Sequence, residues 1–261
     1  MLTAETITLR YVTPQISIEN RQEEYSMVLQ GGRTYYGPKI GILMMRTRFP
    51  RIPGDPGNAA TFPFPVSYRV VPDLFPAGRI PADADEILLQ EFRQAAQDLE
   101  ADGCRAITTV CSFLAGFQRE LAEAVRIPVF TSTLSLVPWA STLIGKGRPI
   151  GIFSDNAAMM NDDLFERLGW SSAEYPVTVS ALPQNSEFHR VIIEDRPEGD
   201  VDLIRQEILT MTRKHMEEHP DTGAILLECA NYAAFQKEIA AQAKVPVFSI
   251  NQLILMMQDA V

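Results

Sequence analysis

The sequence predicts an α/β protein with two pseudo-twofold-related lobes, each a four-stranded parallel sheet flanked by helices. Two observations support this fold class. From residue 39 onward, short apolar runs alternate with segments of helical periodicity, which is typical of parallel sheets with right-handed crossovers. In addition, residues 111–130 (CSFLAGFQRELAEAVRIPVF) align without a gap on residues 229–248 (CANYAAFQKEIAAQAKVPVF), 118 positions further on, with nine identities in twenty.

Strands in the first half are predicted at short, continuous apolar runs, because strands buried on both faces have this composition. The predicted strands are 39–45, 66–71, 105–110 and 127–130. Residues 46–65 are rich in Pro and Gly and are predicted to form a loop, and loops this long in compact domains are usually functional. Apolar residues at helical spacing predict helices over 84–101 and 113–125.

The second half repeats this order of elements. Its predicted strands are 148–153, 175–182, 223–228 and 245–250, and its predicted helices are 154–169, 201–219, 231–243 and 251–261. The side chains of Ser154 and Asp155 suit the N-cap of the first of these helices. His215 and His219 share one face of the helix 201–219, and their charged neighbours predict that this face is solvated.

The predicted elements divide the chain into three segments. Residues 1–37 are polar and weakly patterned, and they are interpreted as an N-terminal appendage. The first lobe is predicted to comprise residues 38–131 together with the C-terminal helix 250–261, and the second lobe residues 132–249. A chain of 261 residues is long enough for two such lobes.

Composition limits the range of partners. The net charge of −10 argues against nucleic acid or an anionic membrane surface, although it leaves a small anionic substrate open. No apolar run reaches the roughly 18 residues of a spanning helix. The N-terminus lacks a signal-peptide pattern, so a cytoplasmic location is the default expectation. The three cysteines make an unpromising disulfide framework in that compartment, and Cys104 is expected to pack as a core residue.

Each copy of the repeat opens with a cysteine at the end of a predicted strand. Cys111 and Cys229 both precede a helix, at the sheet edge where open α/β folds bind ligands. A helix N-terminus favours a thiolate, so the pKa of each thiol is expected to lie below its ordinary value of about 8.5. If the lobes face each other, the two sulfurs flank one cleft, which is the arrangement needed to invert a stereocentre.

Three stretches carry a family resemblance: GILMMRTRFPRIPGDPGNAATFPFPVSYRVV, TTVCSFLAGF and ILLECANYAAF. They resemble the aspartate/glutamate racemase superfamily, which also holds hydantoin racemases, maleate isomerases and arylmalonate decarboxylases, over residues 39 to about 257. The resemblance implies two four-stranded lobes, a site between them, no cofactor, a dimer or larger assembly, and Cys111 and Cys229 as acid and base. It also implies a small carboxylate substrate, bound by the backbone N–H groups of Ser112 and Phe113 and by the Ser112 hydroxyl.

Further substrate-binding candidates follow from position. Asn231 stands where glutamate racemases often carry a histidine, and Ser154 where the family has a Thr or Ser. In the long loop, Arg48 or Arg51 is expected either to clamp a second carboxylate or to pair with an aspartate and pin the loop. Asn58 is expected either to bind substrate or, preferably, to fix a turn. No CxxC, GxGxxG or histidine grouping indicates a metal or a dinucleotide.

The resulting hypothesis is a cofactor-independent racemase or epimerase of an amino acid or its derivative. Arg46-Thr47 stands where glutamate racemases have Asp-Ser, which places glutamate itself in doubt. Two intact cysteines argue against the decarboxylases, which use one. The alternatives are a maleate-type cis–trans isomerase with a cysteine nucleophile and a catalytically silent binder of an amino-acid-like ligand.

Overall fold

Two four-stranded parallel sheets form the framework of the chain. The computed structural model describes residues 32, 34, 36–71, 85–110, 112–145 and 147–261. The first sheet has the order β2-β1-β3-β4 and the second the order β6-β5-β7-β8. The strands are β1 Ile40–Met45, β2 Val66–Val71, β3 Ala106–Thr109, β4 Val129–Phe130, β5 Ile150–Phe153, β6 Val177–Ser180, β7 Ala224–Leu227 and β8 Val247–Phe248. The predicted fold class is confirmed, with strands that are up to four residues shorter than predicted.

The helices of the described residues connect the strands and flank the sheets. They are α1 Asp85–Asp102, α2 Gln118–Glu123, α3 Val137–Ile144, α4 Asp162–Arg167, α5 Val201–Glu218, α6 Gln236–Ala243 and α7 Ile250–Ala260. The sequence gives no prediction for α3. Among these helices, none combines the length and apolar character that a membrane crossing requires.

The strands pair in the same register in the two sheets. Ile40 of β1 pairs with Ala106 of β3, and Ile150 of β5 pairs with Ala224 of β7 in the same way. The strands β1 and β5 therefore correspond at an offset of 110 positions, and β3 and β7 at the offset of 118 seen in the repeat. Extended past the ends of β5 and β7, this correspondence defines three pairs of counterparts: Met44 and Ser154, Met45 and Asp155, and Val110 and Glu228.

The same glutamine fastens a helix to the edge strand in each lobe. In the first lobe, Gln118 donates from Nε2 to the carbonyl oxygen of Val129 at 2.9 Å and accepts at Oε1 from both N–H and Oγ1 of Thr131. In the second, Gln236 donates to the carbonyl oxygen of Val247 at 2.7 Å and accepts from the hydroxyl of Ser249 at 2.8 Å. The identity of Gln118 and Gln236 in the repeat thus has a structural cause.

Three apolar clusters hold the layers together. One lies under α1 in the first lobe and one under α5 and α6 in the second, while a third joins residues of both sheets with α3 and α7. The loop 46–65 starts from β1, yet Phe49 within it packs into the cluster of the second lobe. Cys104 is buried in the cluster of the first lobe, as expected for a core residue.

The segments that follow the strands are less regular than predicted. The helix predicted from Ser154 to Gly169 is wrong: a 3₁₀ turn, Ala157–Met159, is capped by Asn156, and α4 begins only after the N-cap Asn161. Each of these asparagines accepts a backbone N–H at the start of its own turn, so the chain carries two N-caps where one was predicted. The segments after the two cysteines also begin as 3₁₀ helices, Ser112–Phe117 and Ala230–Phe235.

His215 is buried, so the prediction of a solvated histidine face is wrong for this residue. Its Nδ1 lies 2.8 Å from the hydroxyl of Ser180, and its Nε2 lies 3.3 Å from the hydroxyl of Thr222. The ring rests on Gly151 of β5, where an added Cβ would lie 2.6 Å from Nε2. Burial, with a contribution from nearby His219, lowers the pKa of His215 to about 4, so the ring is neutral at physiological pH.

Candidate active site

Cys229 lies two residues past the end of β7, after Glu228, and is the N-cap of the 3₁₀ segment Ala230–Phe235. Its backbone N–H donates to the carbonyl oxygen of Phe153 at 3.3 Å, which ties the cysteine to the end of β5. The residue is 3% exposed, and its thiol donates to Oδ1 of Asn231 at 3.6 Å. The end of the sheet therefore presents a buried thiol with one defined acceptor.

Glu228 supplies a buried carboxyl group next to this thiol. Its Oε2 accepts a hydrogen bond from the hydroxyl of Ser154 at 2.8 Å. Its Oε1 is buried and has no hydrogen-bond partner among the residues that the structure describes. Burial raises the pKa of Glu228 to about 8, and the negative charge of half-buried Asp155 adds to the shift. The carboxyl group of Glu228 is therefore largely protonated at neutral pH. When it is ionised, its charge acts on the thiol of neighbouring Cys229.

The pKa of the Cys229 thiol is raised well above its ordinary value, first by burial and then by the charges of Asp155 and Glu228. Asp55 adds a smaller contribution in the same direction. The expected depression of this pKa is therefore wrong for Cys229. Desolvation and three carboxyl groups outweigh the partial positive charge of a helix terminus, which here is only a short 3₁₀ segment.

The loop 46–65 reaches the cysteine through Asp55. The carboxylate of Asp55 pairs with Arg51 at 2.8 Å and accepts from Nδ2 of Asn231 at 2.8 Å, and both acidic and basic side chains are largely buried. Gly54 adopts a φ of +103°, and a Cβ at this position would lie 2.7 Å from Cα of Ala234. A glycine is thus needed where the loop presses against the segment after Cys229.

The other predicted substrate-binding residues, Arg48, Asn58 and Ser154, lie in three different surroundings. Arg48 is exposed and pairs with Asp195 at 3.1 Å. Asn58 accepts from the N–H of Ala60 and donates to the carbonyl oxygen of Arg51, contacts that shape the loop itself. Ser154 is fully buried, with its hydroxyl on Glu228. The structure thus connects Asn231 directly to Cys229 and Arg51 to it through Asp55 and Asn231, and it places Ser154 on the neighbouring Glu228 and Arg48 on the surface.

The first-lobe half of the predicted site is described only in part. Cys111 lies outside the described residues. For Ser112 and Phe113 the structure gives the backbone alone, as the start of the 3₁₀ segment Ser112–Phe117. Their substrate contacts therefore stay predictions.

A small cavity of about 50 Å³ adjoins Asn231 and Asp55. Its other walls are apolar and come from the loop, from residues 188–204 and from the segment after Cys229: Pro50, Ile52, Phe188, Val191, Ile192, Val201, Ile204 and Phe235, together with Gly199. Among the described residues, no group of three or more His, Cys, Asp or Glu side chains could hold a metal ion.

Glu228 and Asp55 are the residues of this site that the sequence does not single out. A signal for Glu228 exists in the repeat, because a glutamate precedes the second cysteine at a position where the first copy has Val110. A charged side chain at the end of a buried strand is rarely fully buried unless it is paired, which marks the position as unusual.

No family model matches the chain. Among curated proteins, it is 29% identical to dimethylsulfoniopropionate lyase of Durusdinium sp. clade D over 219 residues, which is 80% of this chain and 70% of that protein. It is 26% identical to dimethylsulfoniopropionate lyase 7 of Emiliania huxleyi (strain CCMP1516) over 233 residues, or 85% of this chain and 68% of that protein.

Solved structures define the class of fold. The chain superposes on glutamate racemase isoform RacE1 from Bacillus anthracis with a TM-score of 0.55 and 18% identity, over 87% of this chain and 84% of that one. Allantoin racemase from Klebsiella pneumoniae gives a TM-score of 0.55 at 15% identity, over 85% and 86% of the two chains. Unliganded arylmalonate decarboxylase gives 0.50 at 19%, over 81% and 87%. The fold is that of the aspartate/glutamate racemase superfamily, and the curated relatives given above are named as lyases.

Proposed function

We propose that the protein is a cofactor-independent lyase that cleaves dimethylsulfoniopropionate to dimethyl sulfide and acrylate. The observation that carries the proposal is the pair of acidic side chains Asp55 and Asp155, whose negative charges act on Cys229, with the buried carboxyl of Glu228 beside them adding a third charge once it is ionised. A negative field of this kind favours a substrate with a cationic group beside the reacting carbon. The similarity to two proteins named dimethylsulfoniopropionate lyase supports the same substrate.

The reaction needs one base. The Cys229 thiolate removes a proton from the carbon next to the substrate carboxylate. The electron pair of that C–H bond forms the carbon–carbon double bond, and the neighbouring C–S bond breaks with its electrons going to sulfur. Dimethyl sulfide leaves as a neutral molecule, acrylate remains, and the proton stays on Cys229 until it passes to solvent. No acid is required to protonate the leaving group.

The positive charge of the substrate promotes the ionisation of the Cys229 thiol to the thiolate that acts as the base. In the free protein the high pKa of Cys229 keeps it as a thiol. A bound sulfonium offsets the charges of Asp55 and Asp155 and attracts the negative charge of a thiolate, so the thiol pKa falls when the substrate arrives. A thiolate with an intrinsically high pKa is also a strong base, which suits a weakly acidic C–H bond. In this proposal the N–H groups of Ser112 and Phe113 hold the carboxylate, and Cys111 lies opposite Cys229.

The difference between the lobes favours elimination over racemisation. A racemase exchanges the roles of its two bases between the forward and reverse directions, so it requires nearly equivalent surroundings for both. Here Glu228 stands beside Cys229, whereas Val110 precedes Cys111. The maleate-type alternative needs a cation for a second carboxylate, but Arg51 is already paired with Asp55.

Racemisation or epimerisation of an amino acid remains the second candidate function. It is favoured by the duplicated strand–cysteine–helix unit, which provides one cysteine in each copy of the repeat. The two functions predict different products from the same kind of proton abstraction, and this difference allows a direct test.

The test is an incubation of the purified full chain with dimethylsulfoniopropionate, with dimethyl sulfide measured by gas chromatography and acrylate by chromatography. Single enantiomers of amino acids in heavy water are followed in parallel by NMR. We expect equal amounts of dimethyl sulfide and acrylate, loss of both in Cys229→Ser, and retention in the control Cys104→Ala. Deuterium at the α-carbon of an amino acid, without release of sulfide, would establish the racemase instead. Ligand-induced thermal stabilisation without any turnover would indicate the silent binder.

A further inference from the structure

The side-chain amide of Asn231 lies between a carboxylate and the sulfur of Cys229. Its Nδ2 donates to Oδ2 of Asp55 at 2.8 Å, and its Oδ1 accepts from the thiol of Cys229 at 3.6 Å. The amide therefore connects two groups that are far apart in the sequence. Which of its two ends faces the sulfur decides whether the cysteine meets an acceptor or a donor.

Asp55 fixes that choice. One of its carboxylate oxygens pairs with Arg51 at 2.8 Å and also accepts the N–H of Gly57 at 2.7 Å. An ionised carboxylate can only accept hydrogen bonds, so the amide must turn its NH₂ group towards Asp55. The amide oxygen then necessarily faces Cys229. An oxygen acceptor stabilises an S–H group, and it repels the lone pairs of a thiolate.

We propose that Asp55 is a positioning residue that holds Cys229 as a thiol in the free protein by fixing the orientation of the Asn231 amide. Asp55 acts through Asn231 and need not touch the substrate. The inference concerns the base of the proposed lyase, but its test requires no substrate, so it fails or succeeds separately from the proposed function. Its consequence is that the nucleophilic thiolate is suppressed until a cationic ligand occupies the site.

Other groups near Cys229 act in the same or the opposite direction. Asp155 and Glu228 raise its pKa by their charges, and buried Tyr232 packs nearby with its hydroxyl donating to the carbonyl oxygen of Ser154. The backbone N–H of Asn231 acts the other way and favours the thiolate. Because Asp55 also acts on the sulfur by charge, the experiment must separate charge from amide orientation.

The experiment measures the rate at which iodoacetamide alkylates Cys229 of the full chain across a pH series, with the modified residue quantified by peptide mass spectrometry. Asp55→Asn frees the Asn231 amide to rotate, and we expect the apparent thiol pKa to fall by about one unit, which is about a tenfold faster alkylation at neutral pH. Asn231→Ala removes the acceptor and is also expected to lower the pKa.

The double variant Asp55→Asn/Asn231→Ala distinguishes the two routes. If Asp55 acts through the amide, its substitution adds little once Asn231 is alanine. An equal shift in both backgrounds would show that only the charge matters, and it would overturn the proposal. If Asp55→Asn does not fold, Asn231→Ala decides alone, because it leaves the Arg51–Asp55 pair intact; an unchanged thiol pKa would then overturn the proposal.

Asp195→Asn serves as the matched control. Asp195 also binds the loop 46–65, through the N–H groups of Arg48 and Phe49, but it has no contact with Asn231 among its hydrogen bonds. Asparagine tolerates the left-handed backbone conformation of this residue, whose φ is +56°. We expect no change in the pKa of Cys229. A decrease equal to that of Asp55→Asn would assign the effect to loosening of the loop and would contradict the proposal.

Discussion

The two lobes share one framework but differ at the ends of their strands. Gln118 and Gln236 make equivalent contacts to an edge strand in the two lobes. In contrast, Met44, Met45 and Val110 of the first lobe have Ser154, Asp155 and Glu228 as counterparts in the second. The halves thus agree where a helix is fastened to a sheet, and they differ at the carboxyl edge, where ligands bind in open α/β folds. From this difference we expect the two cysteines to have unequal chemical roles.

A second contrast lies beneath the first strand of each sheet. Gly41 of β1 and Gly151 of β5 occupy equivalent positions, and each lets a helix approach closely. In the first lobe the covering side chain is Leu99 of α1, whereas in the second it is His215 of α5. One lobe thus fills the space with an aliphatic side chain, and the other fills it with a buried, hydrogen-bonded imidazole.

The largest effects are expected from the two cysteines. Cys229→Ser removes the proposed base and should lower kcat/KM for dimethylsulfoniopropionate by about 10³-fold, within the range for loss of a general base. Cys111→Ser should lower it less, because elimination needs one base. Steady-state release of dimethyl sulfide measures both values. Equal losses would contradict the unequal roles assigned here and would favour a two-base racemase.

His215 should make the second lobe sensitive to acid. Its pKa is about 4 in the folded protein and about 6.5 in the unfolded chain, so the unfolded state takes up a proton first as the pH falls. The contribution of His215 to the free energy of unfolding is therefore fully present above pH 6.5. It is lost as the pH falls from about 6.5 to about 4, by about 3 kcal/mol in total. Urea unfolding at a series of pH values measures this loss.

The variant His215→Leu copies the side chain that covers Gly41 in the first lobe. Its free energy of unfolding should show a correspondingly weaker dependence on pH in this range. An unchanged dependence would mean that other groups cause the acid sensitivity.

Alanine at the two equivalent glycines should have unequal costs. A Cβ at Gly151 would lie 2.6 Å from Nε2 of a ring that hydroxyl groups hold in place, whereas a Cβ at Gly41 would lie 2.8 Å from the flexible end of Leu99. We expect Gly151→Ala to lower the free energy of unfolding by about 2 kcal/mol and Gly41→Ala by about 1 kcal/mol or less. Chemical denaturation of both variants at neutral pH tests the order, and a larger cost at Gly41 would reverse it.

The smallest and most nearly equal effects should come from the repeated glutamines. Gln118→Ala removes three hydrogen bonds and Gln236→Ala removes two, one of them in each case to a carbonyl oxygen of an edge strand, and each substitution should cost about 1 kcal/mol. Thermal unfolding of the two variants should agree within about 0.5 kcal/mol. A clear difference would show that the shared framework is less equivalent than its contacts indicate.

The parts of the fold that local periodicity determines are predictable from the sequence. Apolar runs and the repeat predict the eight strands and the two-lobed arrangement. In contrast, α3 gives no such signal, because its sequence, VPWASTLI, is only eight residues long and begins with a proline in the first turn, so a helical period cannot stand out. Asn156 and Asn161 act as N-caps in the segment where the sequence suggests a cap at Ser154. The hydroxyl of Ser154 instead donates to Glu228 and accepts the backbone N–H of Asn156.

The site is predictable only as far as its residues are neighbours in the sequence or in the repeat. The position of Cys229 follows from the strand–helix pattern, but the direction of its pKa shift depends on burial and on Asp155 and Asp55, which are distant in the sequence. His215 is likewise flanked by charged residues along the helix, and its true neighbours, Ser180 and Thr222, come from other elements. Solvation and charge are tertiary properties that periodicity does not contain.

The position of Phe49 makes the second half of the molecule depend on a side chain from the first. An aromatic side chain that departs from the first sheet completes the interior of the second half. A polypeptide cut after residue 131 would leave the later fragment with a gap in its centre and the earlier fragment with an uncovered phenyl ring. Although the sequence carries an internal repeat, its halves are not independent units, because the interior of the second is completed by a side chain of the first.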